Sequence, residues 1–279
     1  MGGGGTDFRE GRPTDARGVR TSHDPATPAR MTHPSLAHLD HRPWPIPRSP
    51  WTWRQSWRDL LFAHWPVAAS DLRDLVPAPL RVQEFDGTSW VGLVPFHMAG
   101  VMRRPLPDLP WVSAFPELNL RLYVEHQGKP GVWFLSLDAT NPLAVWAARR
   151  FFHLPYFQAR IEIDRAGDSI HYRSVRRGGE PVLEARYRPT SAPYESKAGT
   201  LEHWLTERYC LYAQSPDGEL WRNEVHHAPW PLQNASAEFQ RNTYLSGDSR
   251  RPQLTSGPPT LLHFARRIDV VVWGGERVA

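Results

Sequence analysis

The stretch LNLRLYVEHQGKPGVWFLSLDATNPLAVWAARRFFHLPYFQARIEID, residues 118–164, decides the fold. Its first two runs, 118–126 and 131–139, are rich in aliphatic and aromatic residues and flank the turn pair Gln127-Gly128, which predicts a β-hairpin. Asn141 then offers a side-chain cap and Pro142 suits the first helical position. Leu143, Val145 or Trp146, Arg149 or Arg150, and Phe152 complete about three turns of helix before Leu154-Pro155 ends it. YFQARIEID (156–164) returns to strand.

The same grammar extends in both directions. Upstream, LLFAHWPV (60–67) reads as a strand, and Ser70 caps a short helix through Leu75 that Pro77 ends. RVQEF (81–85), Asp86-Gly87 and SWVGLVPFHM (89–98) read as a second hairpin. Downstream, strands are expected at 169–175, 182–188 and 219–227, a helix near 200–208 followed by YCLYA, and a closing strand at RIDVVVW (267–273). Short, regularly spaced strands with two or three helices predict an α+β, mostly β architecture: an antiparallel barrel or curved sheets with inserted helices. No repeat and no break in composition interrupts the pattern, so residues 49–279 are expected to form a single domain.

Residues 1–48 read differently. They are rich in Gly, Pro, Arg, His and Thr and lack aliphatic periodicity, so a disordered tail is expected. Met31 is followed by a plausible start, which marks residues 1–30 as a candidate mis-called extension. The first residues hold no apolar core of a secretory signal. No apolar run is long enough for a membrane helix, and Cys210 is the one cysteine, so a cytoplasmic, bacterial protein without disulfide is expected. A net charge of +4 over 279 residues does not by itself imply nucleic acid.

Phosphate-binding loops, dinucleotide fingerprints, nucleophile elbows and H-E-x-x-H are all absent from the sequence. His226-His227 is the most metal-like pair, but neighbours on a strand point to opposite faces, so one inward and one outward histidine is expected. Neither metal nor cofactor is expected. Cys210 sits in an aromatic and aliphatic run and reads as a buried small hydrophobe.

Three stretches, 60–98, 113–163 and 201–213 with 224–235, resemble the YqjF-like family of unknown function, DUF2071. That family resembles acetoacetate decarboxylases more distantly, through Val76-Pro77-Ala78-Pro79-Leu80, Glu117 before a strand, and the helix running into proline. The resemblance implies an acetoacetate decarboxylase-like β-barrel with a closed interior pocket. It does not carry over the Schiff-base lysine or its neighbouring lysine, because Tyr156 and Phe157 follow Pro155 at the matching positions. The family's substrate-anchoring arginine falls in His64-Trp65-Pro66-Val67, and its first acid falls near Gly92. Only Lys129 and Lys197 are lysines among 33 basic residues, and both fall in turns or loops. A lysine adduct is therefore not expected.

The candidate residues follow. Glu117, between apolar neighbours, either acts as a general acid or base, with burial raising its pKa, or pairs with an arginine to brace the barrel. Arg121 lies four residues on, on the same strand face, and serves equally as that partner or as a carboxylate clamp. Tyr156 is a proton donor or a pocket wall. His64, Glu207, Arg208 and His226 complete the ligand-binding candidates, with Glu207 and Arg208 expected to face different ways. The expected ligand is a small carbonyl or carboxylate compound, either turned over by acid–base chemistry or bound without chemistry by a sensing module. Nucleic acid and membrane are not expected partners, and a homo-oligomer stays open as an alternative to a monomer.

Overall fold

The computed structural model describes residues 1–4, 33–106, 113–246 and 253–279. In chain order its elements are β1 (Trp53–Val67), α1 (Ala69–Leu72), β2 (Arg81–Val82), β3 (Ser89–Arg103), β4 (Phe115–His126), β5 (Lys129–Ala139) and α2 (Pro142–Phe152). They continue with β6 (Tyr156–Ala166), β7 (Ser169–Arg176), β8 (Val182–Pro189), α3 (Leu201–Thr206), β9 (Cys210–Gln214), β10 (Leu220–His227), β11 (Gln233–Asn242), β12 (Leu261–Val272) and β13 (Glu276–Arg277). Short 3-10 turns occupy Pro34–Ala37 and Arg73–Leu75.

The central stretch folds as its pattern predicts. Gln127 and Gly128 both take positive φ, 50° and 75°, the backbone that a tight two-residue hairpin needs. The Asn141 side chain accepts from the amides of Leu143 and Ala144, and Pro142 opens α2. His153, at φ 54°, ends the helix in left-handed backbone, with its N–H on the Ala148 carbonyl.

Strand pairing closes on itself twice. One circuit runs β1–β3–β4–β5–β9–β10–β12 and back to β1; the other runs β1–β3–β4–β5–β6–β7–β8–β11–β12 and back. Both share the wall β12–β1–β3–β4–β5. The circuits part at β5, where Leu137, Asp138 and Ala139 pair with β6 while Val132 and Trp133 pair with β9. They part again at β12, where His263 and Phe264 pair with β11 while Val270–Val272 pair with β10. The two β5 pairings are parallel; for β6 the intervening α2 supplies the crossover that a parallel neighbour requires. The architecture is thus the mostly β barrel with few helices that the sequence predicts.

Because both sides of the shared wall are covered, its strands bury both faces. Leu118, Leu120, Leu122 and Val124 of β4 join Leu61, Ala63 and Trp65 of β1 and Tyr172, Leu183 and Tyr187 of the second circuit in one apolar cluster. The alternate residues, Leu60, Phe62, Val94, Phe96, Phe115 and Leu137, form another. Period-two alternation therefore sorts β4 into an apolar face and a face carrying Glu117, Asn119, Arg121 and Tyr123.

Three local expectations are corrected, and one strand was not foreseen. Residues 81–85 and 89–98 do not form a hairpin: β2 pairs with β4, and only a Phe85–Thr88 bridge closes the turn. Ser70 is not the cap of α1, since Ala68 holds that position and makes no side-chain cap bond. β11, whose residues alternate between half-buried and exposed, carries too few apolar residues to be read as a strand. Residues 33–48 of the expected tail lie against the outer face of β10. Arg42 pairs with Glu224 at 3.0 Å, Trp44 Nε1 donates to the same carboxylate at 2.7 Å, and His41 Nε2 lies 2.9 Å from the His227 carbonyl. Polar anchors order this segment, and hydrophobic periodicity does not register them. Residues 5–32 of the expected tail lie outside the described residues. Among the described residues no helix is long and apolar enough to cross a membrane.

Candidate functional site

A cavity of about 350 Å³ lies inside the smaller circuit. Its walls are mostly apolar. Leu60 and Phe62 of β1, Val94 and Phe96 of β3, and Leu137 of β5 face it, and Ala144, Ala147 and Phe152 of α2 form one side. Its polar residues include Glu117, Asn119 and Arg121 of β4, Asn223 and His227 of β10, Tyr156 of β6 and Arg208 between α3 and β9, with Gln55 of β1, Arg103 of β3 and Thr206 of α3 also on the wall.

Glu117 is 2% exposed. The Tyr156 hydroxyl donates to its Oε2 at 2.8 Å, and the Tyr172 hydroxyl donates to its backbone carbonyl at 2.8 Å. Its Oε1 makes no hydrogen bond among the described residues. Burial pushes the Glu117 carboxyl up to about 8; the bond from Tyr156 opposes that shift and the charge of Asp138 adds to it. At neutral pH the group is a carboxylic acid, able to donate a proton. The Tyr156 hydroxyl is in turn held well above its ordinary value by burial and by Glu117. Asp138 itself is neutralised by Arg176, which grips it with two bonds at 2.7 and 2.6 Å. Of the two alternatives for Glu117, the ion pair with Arg121 or another arginine does not form among the described residues.

Arg121 and Arg208 form a second polar centre. Arg121 is 8% exposed, and it donates from Nε to the Tyr123 hydroxyl at 3.2 Å and from Nη2 to the Leu205 carbonyl at 3.1 Å. Arg208 is 7% exposed, and it donates to the Trp204 carbonyl at 2.7 Å and to Gln83 Oε1 at 2.5 Å. Both guanidiniums stand over the Tyr123 ring, at 5.4 and 5.1 Å from its centre. Among the described residues neither forms an ion pair, and Arg208 Nη2 is buried without a partner. Burial lowers the Arg208 pKa to about 10, and the Arg121 charge pushes the same way. Three more buried polar atoms on the cavity wall lack partners: Asn119 Oδ1, Trp57 Nε1 and Trp230 Nε1. Unmatched polar atoms gathered around one apolar cavity make it the candidate functional site.

The remaining candidates fall elsewhere. His64 is fully buried but does not line the cavity; it stands behind Tyr123, with Nε2 2.6 Å from the hydroxyl. Burial holds it neutral, well below its ordinary pKa. Gly92 leaves the room for this pair, since a Cβ there would come within 3.2 Å of both side chains. Glu207 does not line the cavity either. It accepts from the Trp230 amide at 2.9 Å and from the Tyr209 hydroxyl, and so fixes the loop that carries Trp230. Arg208 enters the cavity instead, because successive residues leaving α3 point apart.

His226 turns away, with Nε2 2.8 Å from the Ser35 carbonyl, and burial pushes it down to about 4. His227 is the inward member of the pair, and its Nδ1 donates to the Ala228 carbonyl at 2.7 Å. Its parity with Asn223 and Val225, both on the cavity wall, is the signal that distinguishes the two histidines. Asn119 was equally legible, two residues from both Glu117 and Arg121 on one strand. Cys210 reaches the wall with its thiol pushed up to about 12 by burial, which makes it a packing residue. Lys129 pairs with Glu224 at 3.5 Å, Lys197 is exposed in a loop, and neither lines the cavity.

Residues 54–269 match DUF2071, described as an uncharacterized conserved protein. The chain belongs to this family. It is 46% identical over 229 residues to the uncharacterized protein YqjF of Bacillus subtilis (strain 168), covering 82% of this chain and 93% of that protein. Among solved structures it is similar to an acetoacetate decarboxylase from Legionella pneumophila, with a TM-score of 0.58 at 13% identity over 86% of this chain and 93% of that one. It is also similar to the enduracididine biosynthesis enzyme MppR complexed with pyruvate, with a TM-score of 0.61 at 15% identity over 83% and 91% of the two chains. At these identities the likeness is one of fold. In this DUF2071 chain the residues after the proline that closes α2 are Tyr156, which bonds Glu117, and Phe157, which lies under the Arg176 guanidinium at 3.9 Å.

Proposed function

We propose that the cavity takes a small carbonyl or carboxylate compound and that Glu117 is its general acid or base, without a lysine adduct. The observation that carries this reading is a carboxyl sealed in the cavity wall, raised to about 8, with one oxygen on the Tyr156 hydroxyl and the other unengaged. A group with a pKa near the working pH is effective in proton transfer in both directions. Protonated, Glu117 donates through Oε1 to an oxygen of the ligand. Once ionised, it keeps the Tyr156 O–H on Oε2, which stabilises the charge that appears. The fold's likeness to enzymes named for acetoacetate and crystallised with pyruvate supports a carbonyl or carboxylate ligand. A cytoplasmic setting fits the single buried thiol of Cys210.

The second reading is a binding or sensing module with no turnover. The raised Cys210 thiol supports it, since the thiolate that would serve as a nucleophile is suppressed. One experiment separates the two. Ketones and keto acids are incubated with the protein in deuterated water, and proton exchange next to the carbonyl is followed by NMR. Exchange that Glu117→Gln slows by about 100-fold or more supports the acid–base reading. A ligand that binds without exchange supports the sensor.

A further inference from the structure

The polar groups of the cavity form two centres that a single small keto acid cannot satisfy together. Glu117 and Arg121 are four residues apart on β4 and face the same side, which separates their Cα atoms by about 13 Å at the rise of an antiparallel strand. Their side chains also diverge. Glu117 is held by Tyr156 of β6, whereas Arg121 reaches past its own position to Tyr123 and Leu205. Between them the wall is hydrocarbon apart from Asn119, whose Oδ1 has no partner. Phe96 and Val94 stand opposite Glu117 and Asn119 on β3, Leu137 stands opposite Asn119 on β5, and Phe62 packs beneath Arg121 at 5.1 Å.

The cationic centre has no acid of its own. Glu117 is engaged with Tyr156, and Glu207 with Trp230 and Tyr209. Glu125 is bound by Arg81 at 2.9 Å and meets Arg208 only through Gln83. Two buried guanidiniums over one tyrosine ring, one with an unpartnered Nη2, call for an anion. The anion must bring an apolar body with it, because apart from Asn119 the path towards Glu117 is lined by Phe62, Val94, Phe96 and Leu137.

We infer that the ligand is an amphiphilic monocarboxylate, its carboxylate held by Arg121 and Arg208 and its alkyl body lying along β4 towards Glu117. This rests on the reading of the cavity as a carbonyl or carboxylate site and narrows it: the carboxylate and the reacting end of the ligand are separated by a hydrocarbon spacer. Alkyl acids of medium chain length belong to this class, and pyruvate does not.

The test is calorimetric titration of the full chain with octanoate, octan-1-ol, octylamine and pyruvate. Tryptophan fluorescence serves as a second readout, since Trp57 and Trp230 line the cavity. Octanoate is expected to bind at least about tenfold more tightly than octanol, the scale of one charge-assisted hydrogen bond, and octylamine not to bind. Arg208→Met and Arg121→Met are each expected to remove the preference for octanoate over octanol. Arg186→Met, which removes an exposed cation remote from the cavity, is expected to keep it. If either cavity variant fails to fold, the ranking of the four probes on the unaltered protein decides alone.

Octanoate binding no tighter than octanol overturns the inference, as does pyruvate binding more tightly than octanoate. An octanoate preference without Glu117-dependent deuterium exchange leaves this inference standing and overturns the acid–base reading. Exchange without an octanoate preference does the reverse.

Discussion

Replacing Glu117 by Gln should change how stability depends on pH more than it changes stability itself. The carboxyl is held protonated by the fold up to about 8, against an ordinary value of 4.5. Between those two values the native chain binds a proton that the unfolded chain has released. Stability therefore falls as pH rises through the window and levels off above it. The slope is about 1.4 kcal/mol per pH unit, and the full span comes to about 5 kcal/mol. The introduced amide has the same shape as the carboxyl, still accepts from Tyr156, and has no proton to lose, so the variant should lack this contribution. The assay is urea unfolding of both proteins at half-unit steps from pH 5 to pH 9. Every other titrating group cancels when the two curves are subtracted. The expected difference is small near pH 5 and grows in the variant's favour by about 1.4 kcal/mol per unit up to about pH 8. Parallel curves would refute the reasoning, because they would mean that Glu117 is ionised in the native protein throughout.

Four further outcomes follow from the same geometry. Tyr156→Phe removes the one side-chain bond that opposes the Glu117 shift, so the carboxyl band of Glu117 in infrared spectra should persist to a higher pH than in the unaltered protein. Arg42→Ala removes the closest of the cations on Glu224, which keeps Arg222 at 3.3 Å and Lys129 at 3.5 Å, and should cost about 1.5–3 kcal/mol, with faster proteolysis of residues 33–48 as the local readout. His226, pushed down to about 4, leaves the native chain with fewer protons than the unfolded chain between that value and 6.5; His226→Gln should therefore lessen the loss of stability as pH falls through this window, measured by thermal melts. Leu120→Ala, at a fully buried position in the apolar face of β4, should cost about 2–5 kcal/mol in urea unfolding and leave the cavity face intact.

Local chemistry is what the sequence made legible. The Gln127-Gly128 turn, the Asn141-Pro142 start of α2 and the strands around them depend on residues a few places apart, and they stand where their pattern put them. The outcome differs wherever a partner is remote. β2 looks like half of a hairpin with β3, yet it pairs with β4, because that choice depends on a strand edge more than thirty residues away. The segment at 33–48 lacks apolar periodicity, yet Glu224 and the carbonyls of β10 order it through Arg42, Trp44 and His41.

The site shows the same division. Period-two alternation placed Glu117 and Arg121 on one face of β4 correctly, and applied to β10 it would have selected His227 over His226. It could not reveal which of the two buried charges meets the other. Glu117 and Arg121 share a face but not a bond, because the strand rise holds them apart and each has a nearer partner in another element. The proposed function depends on that separation. Had the acid met the cation, both would be bracing. Apart along one mostly apolar wall, the Glu117 carboxyl is raised to about 8 by burial and Arg121 stands with Arg208 over the Tyr123 ring, with no acid in contact with either guanidinium among the described residues. On the proposed reading, a ligand meets a proton donor at one end and an anion site at the other.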